Sequence, residues 1–102
     1  MDQEAVVMEI IVNAGEARSL CYEALALAKK HEQADAQTRL TQAKACLNRA
    51  HLIQTQLIEE DQGEGKVKMT LVMVHAQDHL MTTILAYELV SEMVAMYDNK
   101  AQ

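Results

Sequence analysis

Hydrophobic and polar positions alternate at helical spacing along most of the chain. Val6, Ile10, Ala17, Leu20, Ala24 and Leu27 or Ala28 recur three, four or seven residues apart. Leu40, Ala43, Leu47, Ala50, Gln54 and Leu57 repeat the pattern further on. Steps alternating between three and four place these residues on one face of a helix that packs against neighbours. The pattern is interrupted clearly at Asp61-Gln-Gly-Glu-Gly-Lys66, where two glycines among polar residues cannot continue a helix cheaply. A softer break lies at Lys29-Lys30-His31-Glu32-Gln33, whose lysines suit the negative end of a helix macrodipole. The breaks predict helices over about residues 4–30, 33–60 and 67–98, each about 40–48 Å long at 1.5 Å per residue. The pattern reads as an all-α chain of three long helices in one domain spanning 1–102.

The third segment has a different pattern. Leu71-Val72-Met73-Val74 is apolar on every side, and Ala76, Leu80, Met81, Ile84, Leu85 and Ala86 carry this around the cylinder. A helix apolar all round is buried all round. Two other helices of one small chain cannot enclose it, so the surplus face predicts an oligomer with the third helix innermost. Gly15 falls in the middle of the first helix. It costs roughly 1 kcal/mol there relative to Ala, so it should have a packing or site-forming reason.

Composition agrees with long helices. Proline is absent, there are only three glycines, and the apolar half of the chain contains no Phe or Trp. A sandwich or barrel would need many turns and aromatic or β-branched strands. A net charge of −6 without a basic stripe disfavours nucleic acid as partner. No run reaches the length of a membrane span, and the acidic start lacks the basic region of a signal peptide. Cys21 and Cys46, each in an Ala/Leu-rich helical stretch, read as small core residues in a reducing cytoplasm.

The candidate chemistry lies in the third helix, at His75-Ala-Gln-Asp78-His79. At about 100° per residue, Asp78 lies about 60° to one side of His75 and His79 about 40° to the other. Asp78 also belongs to a seam of Leu71, Val74, Met81 and Leu85. A carboxylate there is costly unless it is paired, protonated or bound to metal. A His in a helical bundle is most often a hydrogen-bonded packing residue, and His51 is read that way; His31 is a solvated turn residue. Two His and one Asp within five residues of the most buried helix exceed that reading. H-x-x-D-H departs from the inverted zinc-peptidase H-x-x-E-H, which needs a Glu base, a third ligand and a cleft. Neither the paired Glu-x-x-His of di-metal bundles nor a Gly-rich phosphate loop is present.

With these residues in view, the sequence resembles the lactose/cellobiose-type enzyme IIA family of the bacterial phosphoenolpyruvate-dependent sugar phosphotransferase system, within it the N,N′-diacetylchitobiose/cellobiose members. The resemblance is carried by Asn13-Ala-Gly-Glu-Ala-Arg-Ser19, Ala50-His-Leu-Ile-Gln-Thr-Gln-Leu-Ile58, Gly63-Glu-Gly-Lys66 and Val72-Met-Val-His-Ala-Gln-Asp-His-Leu-Met-Thr82. It implies a three-helix antiparallel bundle that assembles as a homotrimer, and it makes His75 the phosphoacceptor, flanked by Gln77 and His79. It implies that Asp78, one per subunit at the trimer axis, binds a divalent cation, commonly Mg²⁺. The implied partners are the histidine phosphocarrier protein HPr as donor and a Cys of enzyme IIB as acceptor, with the membrane component IIC taking up a lactose-, cellobiose- or diacetylchitobiose-type disaccharide. Family members often carry Gly-Asp-Phe where this chain has His31-Glu32-Gln33. The alternative is a non-catalytic trimeric helical interaction protein whose His/Asp cluster only staples a metal.

Overall fold

A computed structural model describes residues 3–98; residues 1, 2 and 99–102 of the expected domain lie outside the described residues. Three helices follow one another: α1 Gln3–Lys29, α2 Gln33–Asp61 and α3 Leu71–Met96. They form an up-down-up bundle about 51 × 20 × 18 Å. Among the described residues there is no strand. Glu4 in the first turn and Lys29 in the last turn of α1 complement its macrodipole. The helix stops because His31 adopts φ 63°, while the His31 and Glu32 N–H groups donate to Ala28 and Leu27 carbonyls at 2.9 and 3.0 Å. Two such bonds around a left-handed residue close a helix end, a position glycine fills at least cost. This chain uses His31, exposed as expected, in that place.

At the far end of α2, Gln62, Gly63 and Gly65 all have positive φ. The Asp61 carboxylate accepts from the Gly65 N–H at 3.3 Å and the Val67 N–H at 2.9 Å, fastening the connection to α3. The third helix therefore starts at Leu71, four residues later than the pattern predicts. The Val67 N–H is committed to Asp61, and the Thr70 hydroxyl accepts from the Met73 N–H at 3.1 Å. A Thr cap of this kind contributes about 1 kcal/mol to fixing a helix start.

Alanines set the spacing of α1 against α2. Ala14, Ala17, Ala24 and Ala28 of α1 and Ala36, Ala43 and Ala50 of α2 are fully buried. Ile10, Met73, Leu80 and Val94 are the largest of the fully buried side chains. Cys21 and Cys46 lie in the core, as the composition suggested. Across α1 and α2, Arg49 Nε donates to Asn13 Oδ1 at 3.1 Å, and Arg39 pairs with Glu23 at 3.5 Å.

Within one chain α3 is not the innermost helix. Helix α1 packs against both others, and α3 buries only Met73, Ala76, Leu80, Thr83 and Val94. Its opposite side presents Leu71 at 87 % exposure, Met81 at 52 %, Leu85 at 57 % and Leu89 at 51 %. Two helices cover one side of a third and no more, so the remainder of the apolar cylinder faces solvent.

Candidate functional site

His75 is the fifth residue of α3, just past the turn capped by Thr70, and is exposed. Its ring lies parallel to that of His79, with 4° between the planes and centroids 6.1 Å apart. The i, i+4 spacing stacks the two rings along one side of the helix. His79 is half-buried, because α1 passes beside it. A Cβ on Gly15 would lie 3.8 Å from His79 Nε2. The mid-helix glycine thus faces the imidazole, with room for a methyl at ordinary contact distance. The hydroxyls of Thr82 and Thr83 donate to backbone carbonyls of the preceding turn, including the His79 carbonyl at 3.2 and 2.7 Å. They leave the imidazoles free for other partners.

Asp78 is exposed, in the middle of the uncovered seam of Leu71, Val74, Met81 and Leu85. Among the described residues, no group of three or more His, Cys, Asp or Glu comes together within the chain to hold a metal. A cation at Asp78 would need carboxylates from further chains. The donor type suits a hard divalent ion such as Mg²⁺, which takes oxygen ligands.

Within the chain Gln77 does not flank His75. Two residues along a helix is about 200°, so it points to the other side, toward α2. There its Oε1 accepts from Gln54 Nε2 at 2.6 Å. Gln54 was read only as a member of the α2 stripe; the signal was that it is the one amide among Leu and Ala. The pair stands at the end of an apolar groove of about 390 Å³ lined by Leu57, Ile58, Val67, Met69 and Met73. His51 is exposed, not the packing residue expected.

Residues 5–98 match the family described as "PTS system, Lactose/Cellobiose specific IIA subunit". The chain belongs to this family. As a IIA chain it is a phosphotransferase-system component. It is similar to the N,N′-diacetylchitobiose-specific EIIA component of Escherichia coli (strain K12), at 54% identity over 95 residues, 93% of this chain and 82% of that one. It is also similar to the lichenan-specific enzyme IIA component of Bacillus subtilis (strain 168), at 38% identity over 97 residues, 95% and 88% of the two chains. Among solved structures, the IIA(Chitobiose)–HPr complex of the Escherichia coli phosphotransferase system superposes with a TM-score of 0.82 at 52% identity, covering 95% of this chain and 94% of that chain. The cellobiose-specific enzyme IIA of Bacillus anthracis gives 0.89 at 37% identity, covering 95% and 89%. These IIA folds share the three-helix architecture described above. Among the described residues, no helix is long and apolar enough to cross a membrane.

Proposed function

We propose that this IIA chain carries phosphoryl groups on His75, taking them from phospho-HPr and passing them to a Cys of enzyme IIB in the cytoplasm. The sugar is then a lactose-, cellobiose- or diacetylchitobiose-type disaccharide entering through IIC. The observation that carries the reading is an exposed His75, stacked on His79 at the edge of the uncovered seam, in a chain similar to a protein solved in complex with HPr. A lone pair on the His75 imidazole, at Nε2 by family behaviour, forms a new N–P bond. The N–P bond of the donor breaks, and its electron pair stays on the HPr imidazole. The thiolate of IIB then repeats the displacement and leaves the His75 ring neutral. Histidine suits both steps because it is nucleophilic near neutral pH and its phosphoryl bond remains transferable.

The same reading includes a homotrimer. Three parallel copies of α3 facing a common axis would cover Leu71, Val74, Met81 and Leu85 and bring three Asp78 side chains together. Mg²⁺ bound by those carboxylates would offset their mutual repulsion. His75 and Gln77 lie about 80° on either side of the seam. In a closed ring each chain turns one flank to the opposite flank of the next. His75 of one subunit would then face Gln77 of its neighbour, and the flank missing within one chain would be supplied between chains.

The test is transfer of radiolabel from phosphoenolpyruvate through enzyme I and HPr, with wild type and His75→Ala. Acid-labile phosphate on wild type and none on the variant, whose helicity is unchanged, is the expected result. Label mapping to another His, or no label on the wild type, would overturn the reading.

A further inference from the structure

Gln54 is the polar member of the inward stripe of α2, and its amide reaches across to α3. Nε2 donates to Gln77 Oε1 at 2.6 Å and lies 3.7 Å from the Met81 sulfur. The amide nitrogen of Gln77 has the Met73 sulfur at 3.6 Å, and a thioether is a weak acceptor. Gln77 therefore has its oxygen engaged and its N–H groups nearly free. An unrestrained glutamine amide can turn over and present either end. One whose oxygen is held by a donor cannot do so without breaking that bond.

We propose that Gln54 is a positioning residue that holds the Gln77 amide with its N–H groups outward, so that Gln77 offers a donor to the phosphoryl group on His75 of the neighbouring subunit. The inference rests on the phosphocarrier reading and the closed trimer above. Its physical content is one of polarity. A donor facing phosphoryl oxygens makes a charge-assisted hydrogen bond, stronger than a neutral one. The turned-over amide would face those oxygens with its own carbonyl and repel them. The effect falls on the phosphorylated form alone, so it shifts the equilibrium of transfer and leaves the unphosphorylated fold as it was.

Three substitutions separate donor from acceptor. Gln54→Lys keeps a donor toward Gln77 Oε1, Gln54→Leu removes it, and Gln54→Glu replaces it with an acceptor that draws the Gln77 N–H groups inward. The readout is the equilibrium partition of radiolabelled phosphoryl between HPr and this protein, with melting temperature and light scattering as controls. Gln54→Lys should stay within about twofold of wild type. Gln54→Leu should lose about tenfold in partition toward this protein, the scale of one hydrogen bond to a charged group, and Gln54→Glu more. In a Gln77→Leu background all three differences should vanish, which excludes a direct effect of the new charges. If Gln54→Leu folds poorly, the comparison of Lys with Glu decides. Equal partition for all variants, or differences that persist in the Gln77→Leu background, overturns the role of Gln54 while the phosphocarrier reading stands. A wild type that takes no label from phospho-HPr removes that reading, and this one with it.

Discussion

Gly15→Ala tests how α1 accommodates the imidazole of His79. A glycine inside a helix costs about 1 kcal/mol relative to alanine through backbone entropy. The added methyl would meet His79 Nε2 at 3.8 Å, ordinary van der Waals contact, with no other atom closer. Nothing has to shift, so the propensity gain should win. The variant should be more stable by about 0.5–1 kcal/mol. For a chain of this size that raises the melting temperature by about 3–6 °C. Gly15→Leu brings three carbons more into the same space. The His79 ring must then leave its stack on His75, and phosphoryl transfer should slow about tenfold while the helices persist. Thermal melting by circular dichroism at one protein concentration, with transfer from phospho-HPr measured in parallel, reads both. A lower melting temperature for Gly15→Ala would show that the clearance over His79 is not free. Unchanged transfer in Gly15→Leu would show that the clearance does not serve the imidazole.

His31→Gly should stabilise the fold by about 1 kcal/mol, because it relieves the left-handed strain at φ 63° without touching either closing hydrogen bond; an unchanged denaturant midpoint would contradict this. Asp78→Leu should keep a trimer in light scattering, melt higher than wild type in chelator and lose any response to Mg²⁺; dissociation into single chains would remove Asp78 from the axis. Burial pushes the Cys21 thiol above its ordinary value of 9.0. The neutral thiol is thus favoured by the fold, a contribution complete below that value and lost as pH climbs through the raised one. At pH 8.5, alkylation of Cys21 by iodoacetamide should run more than tenfold slower than that of a free thiol. A rate equal to the free thiol would place it outside the core.

Both ends of α1 and α2 were legible to within a residue, because Ala/Leu spacing and the absence of proline leave few other ways to read them. The start of α3 was not. Val67, Met69 and Thr70 fit a helical period as well as an extended one, and what decides is Asp61 capturing the Val67 N–H from six residues away. Gly15 was legible as an anomaly, though its partner His79 lies 64 residues further along the chain. Counting residues around α3 was enough to set Asp78 apart from His75, and the same count excludes Gln77 from the His75 side of its own helix. Its expected place came from likeness to a family and requires the neighbouring chain of the proposed trimer. Gln54 was hidden because a pattern of apolar positions treats one amide as a tolerated exception.

In the proposed trimer, the uncovered seam of α3 would make dose part of this protein's design. If three chains must meet to cover Leu71, Val74, Met81 and Leu85, folding is an assembly reaction. A tenfold dilution then weakens each trimer by about 2.7 kcal/mol, two factors of ten for the two associations lost. A sparse chain would be exposed to proteolysis and an abundant one protected, with no regulator other than mass action. In the proposed trimer, sharing each site between neighbours would also change how defects count. A copy lacking His75 would spoil one site of three, and a copy lacking Gln77 a different one. A copy lacking both would spoil two, so mixed trimers from two alleles would lose activity faster than their proportions suggest.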